Sequence, residues 1–176
     1  MMKTHDSGPG LKASRGSGAT GKRELYDILR RDHEEIRLLF TTLEKSASTQ
    51  VDVRQDYFAR LEQELLVHME AEERFYYTAL EQHDVARPQV LQGYEEHQVA
   101  RIVIGAFNSL AVDDERWPAK LKVLKHLVQQ HMDEEESELF TLTKKLLGNE
   151  RLQEIAEKVQ GLRLEPRKPA GTRETE

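Results

Sequence analysis

Four long stretches of helical periodicity limit what this chain can fold into. Apolar residues recur every three or four positions at Leu25, Ile28, Leu29, Ile36, Phe40 and Leu43, and again at Phe58, Leu61, Leu65, Phe75 and Ala79. A third set is Val90, Leu91, Tyr94, Ile104 and Phe107, and a fourth is Leu121, Leu124, Val128, Leu139, Leu142 and Leu146. That spacing lays one apolar stripe along each helix. The helices are read over about 22–46, 53–82, 88–112 and 118–146, with Pro88 and Pro118 suiting first turns and Gly148 a stop. Breaks of only about five to seven residues force consecutive helices to lie antiparallel. The expectation is an all-α protein, an up-down-up-down antiparallel four-helix bundle. The stretch "NERLQEIAEKV", opened by Asn149, adds a short C-terminal helix outside the bundle. Residues 1–22 and 161–176, rich in Gly, Ser, Pro and charge, read as disordered tails around a domain at 23–160.

Composition removes several classes of function. There is no cysteine, which excludes disulfides, thiolate metal sites and cysteine nucleophiles. No apolar leader and no run long enough for a membrane span is present, so a soluble, cytoplasmic protein is expected. The net charge of −6 conceals a tail of +3 over residues 1–22, +1 over 161–176 and a body of −10. A body so acidic repels phosphate backbones, and neither nucleic acid nor membrane is expected as a partner.

The stripes carry polar residues where the core should be. His33 continues the first stripe, His68 and Glu72 the second, His97 the third, and His131 and Glu135 the fourth. The histidines also fall near the midpoints of their segments, so an antiparallel bundle brings all four to one level. His33 and His97 are 64 residues apart, while His68–His131 and Glu72–Glu135 are both 63 apart. Two hairpins related by an approximate two-fold axis would arrange such ligands for two ions rather than one. Burying imidazoles and carboxylates unpartnered costs several kcal/mol each, a cost that metal coordination offsets. A nitrogen and oxygen donor set without sulfur suits iron, manganese or zinc.

The ordered pattern "RRDHEEI", "HMEAEERFYY", "YEEHQVAR" and "HMDEEESELF" resembles the hemerythrin-like HHE cation-binding domain family over about residues 23–147. The resemblance implies a four-helix bundle holding a non-haem di-iron centre, two iron ions in preference to manganese or zinc. It implies His33, His68, Glu72, His97, His131 and Glu135 as metal ligands and oxygen, peroxide or nitric oxide as small-molecule partners. Oxygen-carrying members place another histidine one turn after the third-helix histidine, where this chain has Arg101. That departure disfavours reversible oxygen storage and favours sensing, stress protection or redox turnover. The proline usual after the aromatic residues of the second helix is replaced by Tyr77, and the corresponding fourth-helix position is Thr141.

Tyr76 and Tyr94, one turn from Glu72 and His97, read as core aromatics able to donate a hydrogen bond to a ligand. Glu73 and Glu136 read as surface or supporting carboxylates, while His5, His83 and His126 are assigned no role in the site. Three functions compete: a di-iron protein reacting with oxygen, peroxide or nitric oxide; a protein storing, donating or sensing iron without redox turnover; and a metal-free helical interaction module. The resemblance leaves an oxidase or peroxidase-like activity open.

Overall fold

The computed structural model describes residues 24–164. The tail read at 1–22 lies outside the described residues, as do residues 165–176 of the tail read at 161–176. Helix α1 is Leu25–Lys45. Helix α2 runs Val51–Ala71 and continues through a π-helical turn, Glu72–Tyr77, into a last turn, Thr78–Leu80. Helix α3 is Arg87–Gly105, with Pro88 in its first turn. Helix α4 runs Trp117–Glu134 through a second π-helical turn, Glu135–Leu139, to Phe140–Leu146. Helix α5, Asn149–Leu164, continues four residues into the tail expected to begin at Gly161.

Cross-helix contacts give the topology. Glu35 pairs with Arg60, and Ser46 with Arg54, so α1 and α2 run in opposite directions. Arg37 meets Asp133 and Glu44 meets Lys125, which sets α1 antiparallel to α4. Tyr77 packs on Tyr94, and Phe58 on Phe107, which sets α2 antiparallel to α3. With α3 against α4, the ring closes as the expected four-helix bundle. Helix α5 lies outside it against α1 and α2, burying Ile155, Ala156, Val159 and Leu162.

Two apolar clusters fill the bundle, one above and one below the histidine level. One contains Leu25, Leu29, Tyr76, Leu80, Phe140 and the buried face of α5. The other contains Ile36, Phe40, Leu61, Leu65, Trp117 and Leu124. Arg54, 5 % exposed, closes the second end by donating to Ser46 Oγ, Ser46 O and Val112 O and by lying over the Trp117 ring. Arg54 thus ties two loops together.

The two π-helical turns change which residues face inward. Each inserts one residue and rotates the side chains beyond it by about 100° relative to an unbroken α-helix. Past Glu72 the buried face is therefore Tyr76, Tyr77, Ala79 and Leu80, while Phe75, read from the sequence as core, is only partly buried. Past Glu135 it is Leu139, Phe140 and Thr143, while Leu142 is partly buried. Leu91, also read as core, is 51 % exposed. Helix α3 ends at Gly105 rather than near Val112, and Phe107 is buried from the following turn.

Candidate metal centre

His33, His68, Glu72, His97, His131 and Glu135 are all buried, and they meet between the two apolar clusters. They form two overlapping groups: His33, His68, Glu72 and Glu135 in one, and Glu72, His97 and His131 in the other, each with its candidate ligand atoms within 4.8 Å. In the first group His33 Nε2 lies 3.2 Å from His68 Nε2 and 3.3 Å from Glu135 Oε2. In the second, His97 Nε2 lies 3.1 Å from His131 Nε2. Glu72 belongs to both, with Oε1 3.2 Å from His68 Nε2 and Oε2 3.3 Å from His97 Nε2. Glu135 joins only the first group.

Three of the four outer nitrogens face a carboxylate at hydrogen-bond distance. His33 Nδ1 is 2.8 Å from Glu136 Oε1, His97 Nδ1 is 2.9 Å from Glu73 Oε1, and His131 Nδ1 is 2.7 Å from Glu96 Oε2. Arg37 donates to Glu136 and Arg101 to Glu73, each arginine sitting four residues after the histidine it supports. Arg101 therefore spends its guanidinium on a carboxylate behind His97. Glu73 and Glu136, read from the sequence as surface or supporting carboxylates, are these histidine partners. A carboxylate on Nδ1 fixes the proton there and leaves Nε2 as the lone-pair nitrogen.

That tautomer makes the layer a fit for cations. Lone pairs of His33 and His68, and of His97 and His131, would face each other at hydrogen-bond distance with nothing between them. All four oxygens of Glu72 and Glu135 are buried without a hydrogen-bond partner. Ions bind nitrogen and oxygen at about 2.0–2.2 Å, so neighbouring ligands on one ion stand about 3.0–3.5 Å apart. The inner distances of 3.1–3.3 Å match. Without an ion, protons take over part of the role. Burial lowers the pKa of His33, but Glu135 and Glu136 outweigh it and raise the value to about 9. Burial lowers that of His131 too, and Glu72 and Glu96 raise it to about 10. Burial pushes the Glu72 carboxyl up, but the surrounding His68, His131 and His97 hold it well below the usual range. Burial and the Glu72 charge push Glu135 up.

Tyr77 is the phenol that reaches the layer. Its hydroxyl lies 3.5 Å from His131 Nε2, and its ring stacks on His97 with centroids 5.5 Å apart. Tyr76 turns away to Thr143 Oγ1 at 2.8 Å, and Tyr94 donates to the Glu73 carbonyl at 3.4 Å. A small pocket of about 40 Å³, lined by Tyr77, Gly93, Glu96, His131 and Glu135 among others, opens beside the three-residue group. His83 is half-buried at the end of α2 and His126 is exposed on α4, both outside the groups; His5 lies outside the described residues.

Helical spacing found the six inward residues but not Tyr77, Glu96 or Asp32. Tyr77 enters only because of the π-helical turn. Glu96 and Asp32 are adjacent in sequence to His97 and His33, and each faces a histidine on the next helix, Glu96 at 2.7 Å from His131 and Asp32 at 3.7 Å from His68. Their 64-residue interval, equal to that of His33 and His97, was the available signal.

The family profile described as the hemerythrin HHE cation binding domain matches residues 24–143. A solved structure of a hemerythrin HHE cation-binding domain-containing protein from Mycobacterium kansasii superposes with a TM-score of 0.70, covering 79 % of this chain and 84 % of that one at 21 % identity. A curated protein of Nostoc sp., a DNA nickase, is 25 % identical over 132 residues. That match takes in 75 % of this chain, which spans only 37 % of the nickase's length. Among the described residues no helix is long and apolar enough to cross a membrane.

Proposed function

This chain belongs to the hemerythrin HHE cation-binding domain family, and from that premise we propose that it is a non-haem di-iron protein reacting with oxygen, peroxide or nitric oxide in sensing or stress protection. His33, His68 and Glu135 would hold one ion, His97 and His131 the other, with Glu72 shared between them. The observation that carries this reading is the asymmetry between the groups: four residues face the first position, three face the second, and a small pocket reaches His131 of the second beside Glu135. A bound ferrous pair supplies reducing electrons and open coordination positions for a small ligand.

The chain's own groups select what can enter. A volume of about 40 Å³ has room for a molecule of a few atoms. Tyr77 offers a buried hydroxyl at the inner end, and burial together with the Glu72 charge raises its pKa, so it is a neutral hydrogen-bond donor. Arg101, committed to Glu73 at 2.8 Å, leaves the second position without a further protein nitrogen. These features favour reaction over reversible storage. Nicking of DNA is an activity of a relative of which this chain spans 37 %, and a body of net −10 repels phosphates.

The test is titration of anaerobic, iron-loaded protein with nitric oxide, then with peroxide, followed by visible absorption and electron paramagnetic resonance. The proposal predicts saturable spectral changes, and a several-fold weaker nitric oxide affinity in Tyr77→Phe with unchanged iron content. Iron that is retained but spectrally indifferent to both molecules would instead support storage, donation or iron sensing.

A further inference from the structure

Each histidine of the layer turns Nδ1 towards one carboxylate, and these carboxylates come in two related pairs. Glu73 and Glu136 directly follow the inward glutamates, and Asp32 and Glu96 directly precede the single histidines of α1 and α3. Three of the four contacts are made, at 2.7–2.9 Å. The fourth is not. Asp32 Oδ2 stops 3.7 Å from His68 Nδ1, where its counterpart Glu96 reaches His131 at 2.7 Å. The 1.0 Å shortfall is of the order of the one methylene by which Asp is shorter than Glu. His68 Nδ1 and Asp32 Oδ2 are both buried and neither makes a directed hydrogen bond, although each residue is only 2 % exposed.

Asp32 nevertheless has a charge partner, and its origin is unexpected. Arg163 Nη2 approaches Asp32 Oδ2 to 2.8 Å and Glu64 Oε2 to 3.4 Å. Arg163 stands near the end of α5, twenty residues past Thr143, where the family match ends. The other half of the bundle meets the same need internally: Gln92, one turn before Glu96, donates to it at 2.8 Å. The matching residue before Asp32 is Ile28, which has no polar atom to offer. The added helix supplies what Ile28 cannot.

We infer that Asp32, held in place by Arg163 from α5, is the carboxylate that orients His68, so that α5 is a working part of the first metal position although it lies outside the matched domain. Burying a carboxylate this deeply is costly unless a cation stands beside it. Ligation at Nε2 strengthens the Nδ1–H donor, which draws a carboxylate facing it into contact, and losing such an outer partner typically weakens metal affinity about 10–100-fold. The inference rests on the metal reading proposed above. Asp32 and Arg163 are positioning residues, and their effect is confined to one of the two ions. Glu96 has the same role at the other.

The experiment measures iron per chain and the time course of iron release to a chromogenic ferrous chelator in full-length protein, wild type, Asp32→Ala, Arg163→Met, Arg163→Lys and Glu96→Ala. The expected result is that Asp32→Ala and Arg163→Met release one iron of two at least about tenfold faster while the other keeps its wild-type rate, with Arg163→Lys intermediate. Glu96→Ala should hasten the other ion, and its combination with Asp32→Ala both. Release within twofold of wild type in Asp32→Ala and Arg163→Met overturns the inference and leaves the metal reading standing. Equal acceleration of both ions in Arg163→Met also overturns it, because docking of α5 is then a general support; Asp32→Ala, with Arg163 intact, separates that case. Wild-type protein that binds no iron overturns the metal reading and this inference together.

Discussion

Gly93 leaves the space that Tyr77 fills: a Cβ added at position 93 would lie 2.8 Å from the Tyr77 hydroxyl oxygen and 2.9 Å from its Cζ. The phenol is fully buried between α2 and α3, so it has little room to yield. Gly93→Ala should therefore destabilise the protein by about 1–3 kcal/mol through overpacking. Tyr77→Phe should relieve part of that cost, since the closest atom is the hydroxyl. Thermal unfolding of both single variants and the double variant checks this as a coupling; strictly additive effects would contradict it.

The metal-free protein should show an alkaline limit to its stability. His33 and His131 have folded pKa values of about 9 and about 10, above the roughly 6.5 of an unfolded chain. The folded state therefore holds more protons, and its advantage is complete below about pH 6.5 and is lost as pH rises through 9 to 10. On the acid side Glu136, held at about 2 chiefly by His33, and the depressed Glu72 contribute stability above the ordinary glutamate range that is lost on acidification. Metal binding requires neutral imidazoles, so the loaded protein should lose the alkaline decline and gain an acid-driven release of metal. Melting temperatures from pH 4 to 10, with and without chelator, test both signs. A metal-free melting temperature that is flat between pH 7 and 10 would contradict the first.

Arg54 predicts a defect far from the metal layer. It is 5 % exposed, donates three hydrogen bonds to the turns after α1 and α3, and covers Trp117. Arg54→Met keeps much of the volume but leaves the Ser46 and Val112 carbonyls without this donor, for a loss of about 2–4 kcal/mol. Iron content should not change. Urea unfolding measures the loss, and an effect below about 0.5 kcal/mol, the usual limit for a neutral surface change, would contradict the bracing role.

The bundle and the inward polar layer were legible in the sequence because both follow from the 3.6-residue period. Pro88, Pro118 and the short breaks placed the helices to within a few residues, apart from the end of α3. What helical spacing could not reveal is where the period changes. The π-helical turns at Glu72–Tyr77 and Glu135–Leu139 begin at the inward glutamates, and beyond each the buried face advances by one residue. Tyr77 and Thr143 therefore face inward, while Phe75 and Leu142 are displaced towards the rim. The carboxylates behind the histidines were obscured for another reason. Glu96 and Asp32 look like ordinary charged neighbours along their own helices, and their partners become evident only across the helix interface. Arg163 carried no signal at all, because its partner lies on a helix more than a hundred residues earlier.

Glu72 offers one oxygen to each group, and Glu135 offers oxygens only to the first. Iron per chain in wild type, Glu72→Ala and Glu135→Ala therefore tests the paired centre most directly, by elemental analysis of purified, iron-supplied protein with circular dichroism as the control for folding. The paired centre predicts close to two irons in wild type, loss of both in Glu72→Ala, and retention of about one in Glu135→Ala. Folded wild-type protein without iron, or a Glu72→Ala variant that keeps two, would contradict it.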